Sequence, residues 1–268
     1  MEKISKKDAF WGALNLLGAQ PKLFVPKIII AILYGVMTLI SAYLVAEAIL
    51  IQANPAILQS ADYVSYLMIF TLAFLVFSIF IYFLDVFFSG LYPILVKDAK
   101  KGKVSFLSAF SQLKGKYVKL FISGIVIFVL LAITSIIDSV FLIAFGFGVE
   151  SVLVSFVLAF VLIFLLYFLF PIVAFEQKSV HGTIRETFYS AFRNKSVVLI
   201  FSVVPFSITA IKFAIAYFST SVEMFLVFWI LVLLTGIIYS IHAVVNQILY
   251  EGVVEGKVSF KARKHLKK

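Results

Sequence analysis

The stretch from Leu120 to Phe145, LFISGIVIFVLLAITSIIDSVFLIAF, carries a single charge, Asp138, and no proline. As a helix it would be about 39 Å long, more than the roughly 30 Å of hydrocarbon in a bilayer. A surface helix of a water-soluble protein keeps a polar face, and this segment has none. Five further stretches read the same way, at approximately 27–51, 63–96, 151–175, 197–218 and 224–250. The segment 63–96 is long enough to tilt strongly or to run beyond the hydrocarbon. Six membrane-spanning helices are therefore expected.

The whole chain agrees with its segments. It has 268 residues, of which 63% are hydrophobic and 13% charged, with a mean hydropathy of +1.12. Soluble domains are about a quarter charged, and a water-soluble fold of this size could not hide so much apolar surface. The absence of cysteine excludes disulfides, thiol catalysis and cysteine metal sites. No cleavable signal peptide is expected, because the first apolar run is too long and lacks a small-residue cleavage site.

The net charge of +10 is distributed by loop. Lys3, Lys6, Lys7, Lys22 and Lys27 precede the first span. Lys97, Lys100, Lys101, Lys103, Lys114, Lys116 and Lys119 follow the second. Lys178, Arg185, Arg193 and Lys195 follow the fourth, and six more fill the tail from Lys257 to Lys268. All but one of the 23 Lys and Arg thus fall on alternate loops; the exception, Lys212, lies inside a span. The intervening loops carry Asp62, Glu150 and Glu223 but no Lys or Arg. The positive-inside rule then predicts an even number of crossings, with both termini cytoplasmic in a cell membrane. It also gives the basic charge a partner. Lys97, Lys100, Lys101, Lys103, Lys114 and Lys116 are candidates to face anionic lipids; nucleic acid is not an expected partner.

The chain also repeats itself. Ser5-Lys6-Lys7-Asp8-Ala9-Phe10, Ser105-Phe106-Leu107-Ser108-Ala109-Phe110 and Thr183-Ile184-Arg185-Glu186-Thr187-Phe188 share one pattern. A hydroxyl residue is followed three positions later by Asp, Ser or Glu, then by a small residue and Phe. The pattern predicts a capped helix start, most nearly a capping box in the third copy. Apolar residues then recur at helical spacing: Phe10, Leu14 and Leu17; Phe106, Phe110, Leu113 and Tyr117; Ile184, Phe188 and Ala191. Such short, basic, amphipathic helices are expected to lie in the membrane interface. Tyr92-Pro93-Ile94 recurs as Phe170-Pro171-Ile172, and Gly102-Lys103-Val104-Ser105-Phe106 as Gly256-Lys257-Val258-Ser259-Phe260. Pro93, Pro171 and Pro205 are expected to kink their spans. The chain reads as one all-α membrane domain over 1–268. It contains three parallel repeats of interfacial helix plus transmembrane hairpin, at about 1–102, 103–180 and 181–256, then a basic tail at 257–268.

This pattern resembles a loose superfamily of multi-pass membrane proteins over nearly the whole chain. The superfamily includes the membrane domain found ahead of some glycerophosphoryl diester phosphodiesterases, and many bacterial and archaeal families of unknown function. The resemblance implies the architecture and a role within or alongside the membrane. It does not imply the phosphodiesterase activity, which belongs to a separate soluble domain that has no counterpart in these 268 residues.

Few residues are candidates for chemistry. The chain has no His-Glu-x-x-His, no Gly-x-Ser-x-Gly and no phosphate-binding loop, and its three histidines lack metal-ligand spacing. Neither a cofactor nor a metal is expected. Glu47, Asp85, Asp138 and Lys212 lie within spans, where an unpaired charge costs a few kcal/mol. Glu47 and Asp138 fall near outer ends and can reach interfacial water. Asp85 is expected near mid-membrane and breaks the repeat, whose equivalent positions are Ile163 and Tyr239. An ion pair within the bundle, with Lys212 as a partner, weighs equally with a functional role. His242 and Asn246 share a helix face, where hydrogen bonding between helices is the plainer reading.

Three functions compete. The leading expectation is a non-catalytic scaffold, accessory subunit or bilayer-interacting protein, with room for a membrane-protein partner or a homo-oligomer. The alternative is a small transporter or channel for an ion, lipid or small molecule, using Asp85 and nearby polar groups. A lipid-acting enzyme would require several of those groups to converge on one pocket.

Overall fold

The computed structural model describes residues 6–145, 149–218 and 225–254. All regular structure among them is helical. Ser5, Glu223, the tail and most of the short turns at 146–150 and 219–223 lie outside the described residues. So do the side chains of Asp138 and Lys212, although both positions fall within helices.

The long apolar stretches form the long helices. These are α2 (Val25–Ala53), α3 (Ala61–Ala99), α5 (Tyr117–Phe145), α6 (Val149–Leu165), α9 (Lys195–Phe218) and α10 (Phe225–Leu249). The short helices α1 (Lys6–Ala19), α4 (Phe106–Leu113), α7 (Leu169–Phe175) and α8 (Val180–Arg193) lie among them in the sequence. Five helical segments are long and apolar enough to cross a membrane. A sixth is added if α8 and the first part of α9, bent by 104° at their junction, are taken as one span. At 39 residues α3 is about 58 Å long, nearly twice the hydrocarbon thickness. The structure is thus that of an all-helical, multi-pass membrane protein.

The helix starts follow local chemistry. Ser105 caps α4, its hydroxyl accepting from the Ser108 amide at 3.3 Å. In α8 the cap is Ser179, not Thr183: Ser179 Oγ accepts from the Gly182 amide at 3.2 Å. Thr183 therefore sits one turn inside the helix, buried, and donates back to the Ser179 carbonyl at 2.9 Å. The earlier hydroxyl wins because it gives the helix an extra turn, and Thr183 can satisfy itself against the preceding turn. The α-helix runs without interruption through Pro93 and Pro205. Only at Pro171 is there a break, a turn at Leu166–Phe168 between α6 and α7.

The chain forms two compact units. The first comprises Met1–Leu23, Ser89–Val204 and Ile241–Lys268; the second comprises Phe24–Phe88 and Pro205–Ser240. In the second, α2 packs on α10 around Ala31, Phe228 and Val232. Glycine allows the approach: a Cβ on Gly236 would stand 2.9 Å from the Ile28 Cα, and one on Gly35 would stand 3.0 Å from a Val232 methyl. Small residues at such a contact let helix backbones come close in lipid, where packing must hold the pair together.

In the first unit the three short helices bury equivalent positions. Ala9, Ala109 and Thr187 are fully buried, and so, one turn later, are Ala13, Leu113 and Ala191. Phe10, Phe110 and Phe188 are each half-buried beside them. Three further segments complete this core: Leu91–Val96 of α3, Pro171–Ala174 of α7 and Val244–Tyr250 at the end of α10.

Candidate functional site

In the second unit Asp85 has found a cation, and it is Lys27. The two lie 58 residues apart in sequence, with Nζ 2.6 Å from Oδ1. Lys27 stands in the first turn of α2 beside Pro26, and its residue is 4% exposed. Its ammonium also stands 5.4 Å from the Tyr239 ring centre. The Asp85 side chain is 22% exposed, and Tyr34 and Tyr82 lie within its electrostatic reach. Lys27 thus belongs to the buried first turn of α2, not to the basic loop before it. Pairing with carboxylate and aromatic ring is what makes that burial tolerable.

The pair also ties Asp85 to the first turn of α2. Because Lys27 opens α2, Asp85 lies level with the beginning of that helix. From Asp85 along α3 to Tyr66 is roughly 28 Å of helix. At that far end Tyr63 donates its hydroxyl to Glu47, and Tyr43 and Tyr66 pack against Phe70. Glu47 is accordingly held at an aromatic cluster. The α3 surface between these layers is apolar and exposed, with Ile69, Leu72, Val76 and Phe80 each at least 60% exposed. Those residues line an open groove of about 550 Å³ along α3.

The first unit holds a second polar cluster. Asn246 donates its Nδ2 to the Tyr167 carbonyl. The sequence explains why that carbonyl is available: in a continuous helix it would accept from the amide of residue 171, which is proline and has none. Gln247 donates to Glu251 at 2.8 Å, and Glu251 pairs with Lys100. The His242 ring meets Tyr167 edge-on at 5.3 Å. The Tyr167 hydroxyl, Asn246 Oδ1 and Gln247 Oε1 are buried without a hydrogen-bond partner among the described residues. Asn246 thus does what hydrogen bonding between helices predicted.

Lysines surround the C-terminal end of α7. Lys116 donates to the Ala174 carbonyl, and Lys119 to the Glu176 carbonyl at 3.0 Å. The Lys97 ammonium stands 5.1 Å from the Phe175 ring centre. Lys178 pairs with Glu176 at 2.8 Å and Glu186 at 2.9 Å, and those carboxylates hold its pKa above the usual lysine value. Tyr250 donates to the other Glu176 oxygen at 3.2 Å and stacks on Phe175. Of the lysines singled out from the sequence, Lys101, Lys103 and Lys114 are exposed and Lys100 pairs with Glu251, while Lys116 turns inward. Lys119 and Lys178 were counted among the basic loop residues but not among the candidates. Their position at α7 is a tertiary fact with no signal in the spacing.

Asp85 lies in the second unit, with Glu47; His242 and Asn246 lie in the first. Among the described residues no three His, Asp or Glu side chains converge as a metal site. No protein-family model, curated protein or solved structure matches the chain.

Proposed function

We propose that this is a six-span membrane protein of the repeat architecture described above, with a cytoplasmic basic face, whose role is to organise or engage the bilayer and not to catalyse a reaction. The observation that carries this reading is the shared register of α1, α4 and α8. Each buries its small-residue positions and leaves large apolar side chains outside: Trp11 is 53% exposed, Leu107 83% and Phe192 60%. In water such residues would be a liability; at an interface they insert beside headgroups while neighbouring lysines and arginines meet phosphate. The long α3 supports the same placement. Its hydrocarbon-facing stretch runs between the Asp85–Lys27 level and the Tyr43–Glu47–Tyr63 level, close to the ~30 Å of a bilayer core, with tyrosines at each end as an aromatic belt requires.

The transport reading loses its first motivation, because the Asp85 charge is paired, with Lys27 in the first turn of α2. The superfamily resemblance remains part of the proposal as a source of architecture alone.

Vesicle reconstitution tests this reading. The protein is expected to deform or cluster vesicles containing anionic lipid, and Trp11→Ser, Leu107→Ser and Phe192→Ser together are expected to abolish the effect while leaving the spans inserted. An unaltered effect in the triple variant would overturn it.

A further inference from the structure

The lysines around α7 do more than balance a helix end. Lys97, Lys116, Lys119 and Lys178 come from α3, the turn before α5, α5 itself and the α7–α8 connection, and all reach residues 174–176. The C-terminal carbonyls of α7 account for one hydrogen bond each from Lys116 and Lys119. An ammonium has three donors, so each keeps two. A helix end offers only about half a negative charge. The nearby carboxylates, Glu176 and Glu186, are engaged by Lys178. Among the described residues no carboxylate forms an ion pair with Lys97, Lys116 or Lys119. Three like charges brought to one place by the fold call for an anion.

The surroundings say which kind. On α5, Val118 is 73% exposed and Phe121 52%, and the exposed apolar face continues through Ile125 and Phe128. It begins at Val118, the neighbour of Lys119 in the sequence. A ligand with a phosphate at one end and a long apolar tail matches both halves of this surface.

We infer that the lysine cluster at the C-terminal end of α7 is a binding site for the phosphate headgroup of an anionic phospholipid, whose acyl chain lies along the exposed face of α5. The site rests on the bilayer-engaging reading above, and names a defined locus within its basic face.

Native mass spectrometry of the full chain tests it, with phosphatidylglycerol, phosphatidylcholine and glycerol phosphate as probes. Wild type is expected to retain phosphatidylglycerol in preference to phosphatidylcholine. The K116Q/K119Q variant is expected to bind it about tenfold more weakly or worse, and K116R/K119R to restore binding, which separates lost charge from lost fold. The K101Q/K103Q variant removes the same charge from exposed positions and is expected to bind as wild type does. Equal losses in the two Gln variants would overturn the site and leave a diffuse basic face standing. No preference for phosphatidylglycerol in wild type would bring down the site and the anionic-lipid reading together. Glycerol phosphate binding as tightly as the lipid would overturn the lipid as ligand.

Discussion

Asn246 and Pro171 are 75 positions apart yet form one structural statement, since the amide that proline lacks is replaced by a side chain from another helix. Asn246→Ala would strand the buried Tyr167 carbonyl, at a cost of about 1–3 kcal/mol. In a Pro171→Ala background the helix can supply its own amide, so the same Asn246 change should cost much less. Unfolding in detergent, read as a double-mutant cycle, measures the difference; equal costs in both backgrounds would refute the pairing. The Lys27–Asp85 pair makes a similar prediction. Lys27→Met and Asp85→Leu should each lower the unfolding free energy, by up to about 3 kcal/mol because Asp85 keeps some solvent. The double variant should recover most of the loss. These partners were not legible from the chain. Asp85 was conspicuous as a costly charge in a span, but what it meets depends on how α2 packs on α3, and Lys27 was disguised by the basic segment before it.

Elements were far more legible than partners. Five of the six apolar stretches foretold long helices to within a few residues, because a helix that must satisfy its amides in hydrocarbon has to be long; the fourth, 151–175, is divided into α6 and α7 by the turn at Leu166–Phe168. Helical spacing foretold α1, α4 and α8, and the cap at Ser105 was foretold with α4; α7 was read as part of a span. The error at Thr183 arose from demanding an acid after the cap, which Ser179 does not have. The helix continues through Pro93 and Pro205, as a long helix can where the freed carbonyl is satisfied otherwise. Helix packing yields a paired prediction. Gly236→Ala would push a methyl against the Ile28 backbone and should destabilise by about 1–3 kcal/mol. Gly18→Ala in α1 meets nothing within 4 Å and should stabilise by up to about 1 kcal/mol. Thermal unfolding of the two variants should move in opposite directions; a shared direction would contradict the described contacts.

At the scale of the molecule, the account rests on a chain that crosses the membrane an even number of times, its basic loops on one side. Hydropathy predicts the spans, and the alternation of lysine-rich with lysine-free loops predicts the orientation. The structure adds what hydropathy could not, namely that the ends of α3, α7 and α10 join α1, α4 and α8 in one core. The chain contains no cysteine, so single introduced thiols report their surroundings without background. Ser60, between α2 and α3, and Lys103, between α3 and α4, are both exposed. In intact cells a membrane-impermeant maleimide should label Ser60→Cys at once and Lys103→Cys only after permeabilisation. Labelling of both from the same side would contradict the topology on which the interfacial helices, the lipid site and the proposed role depend.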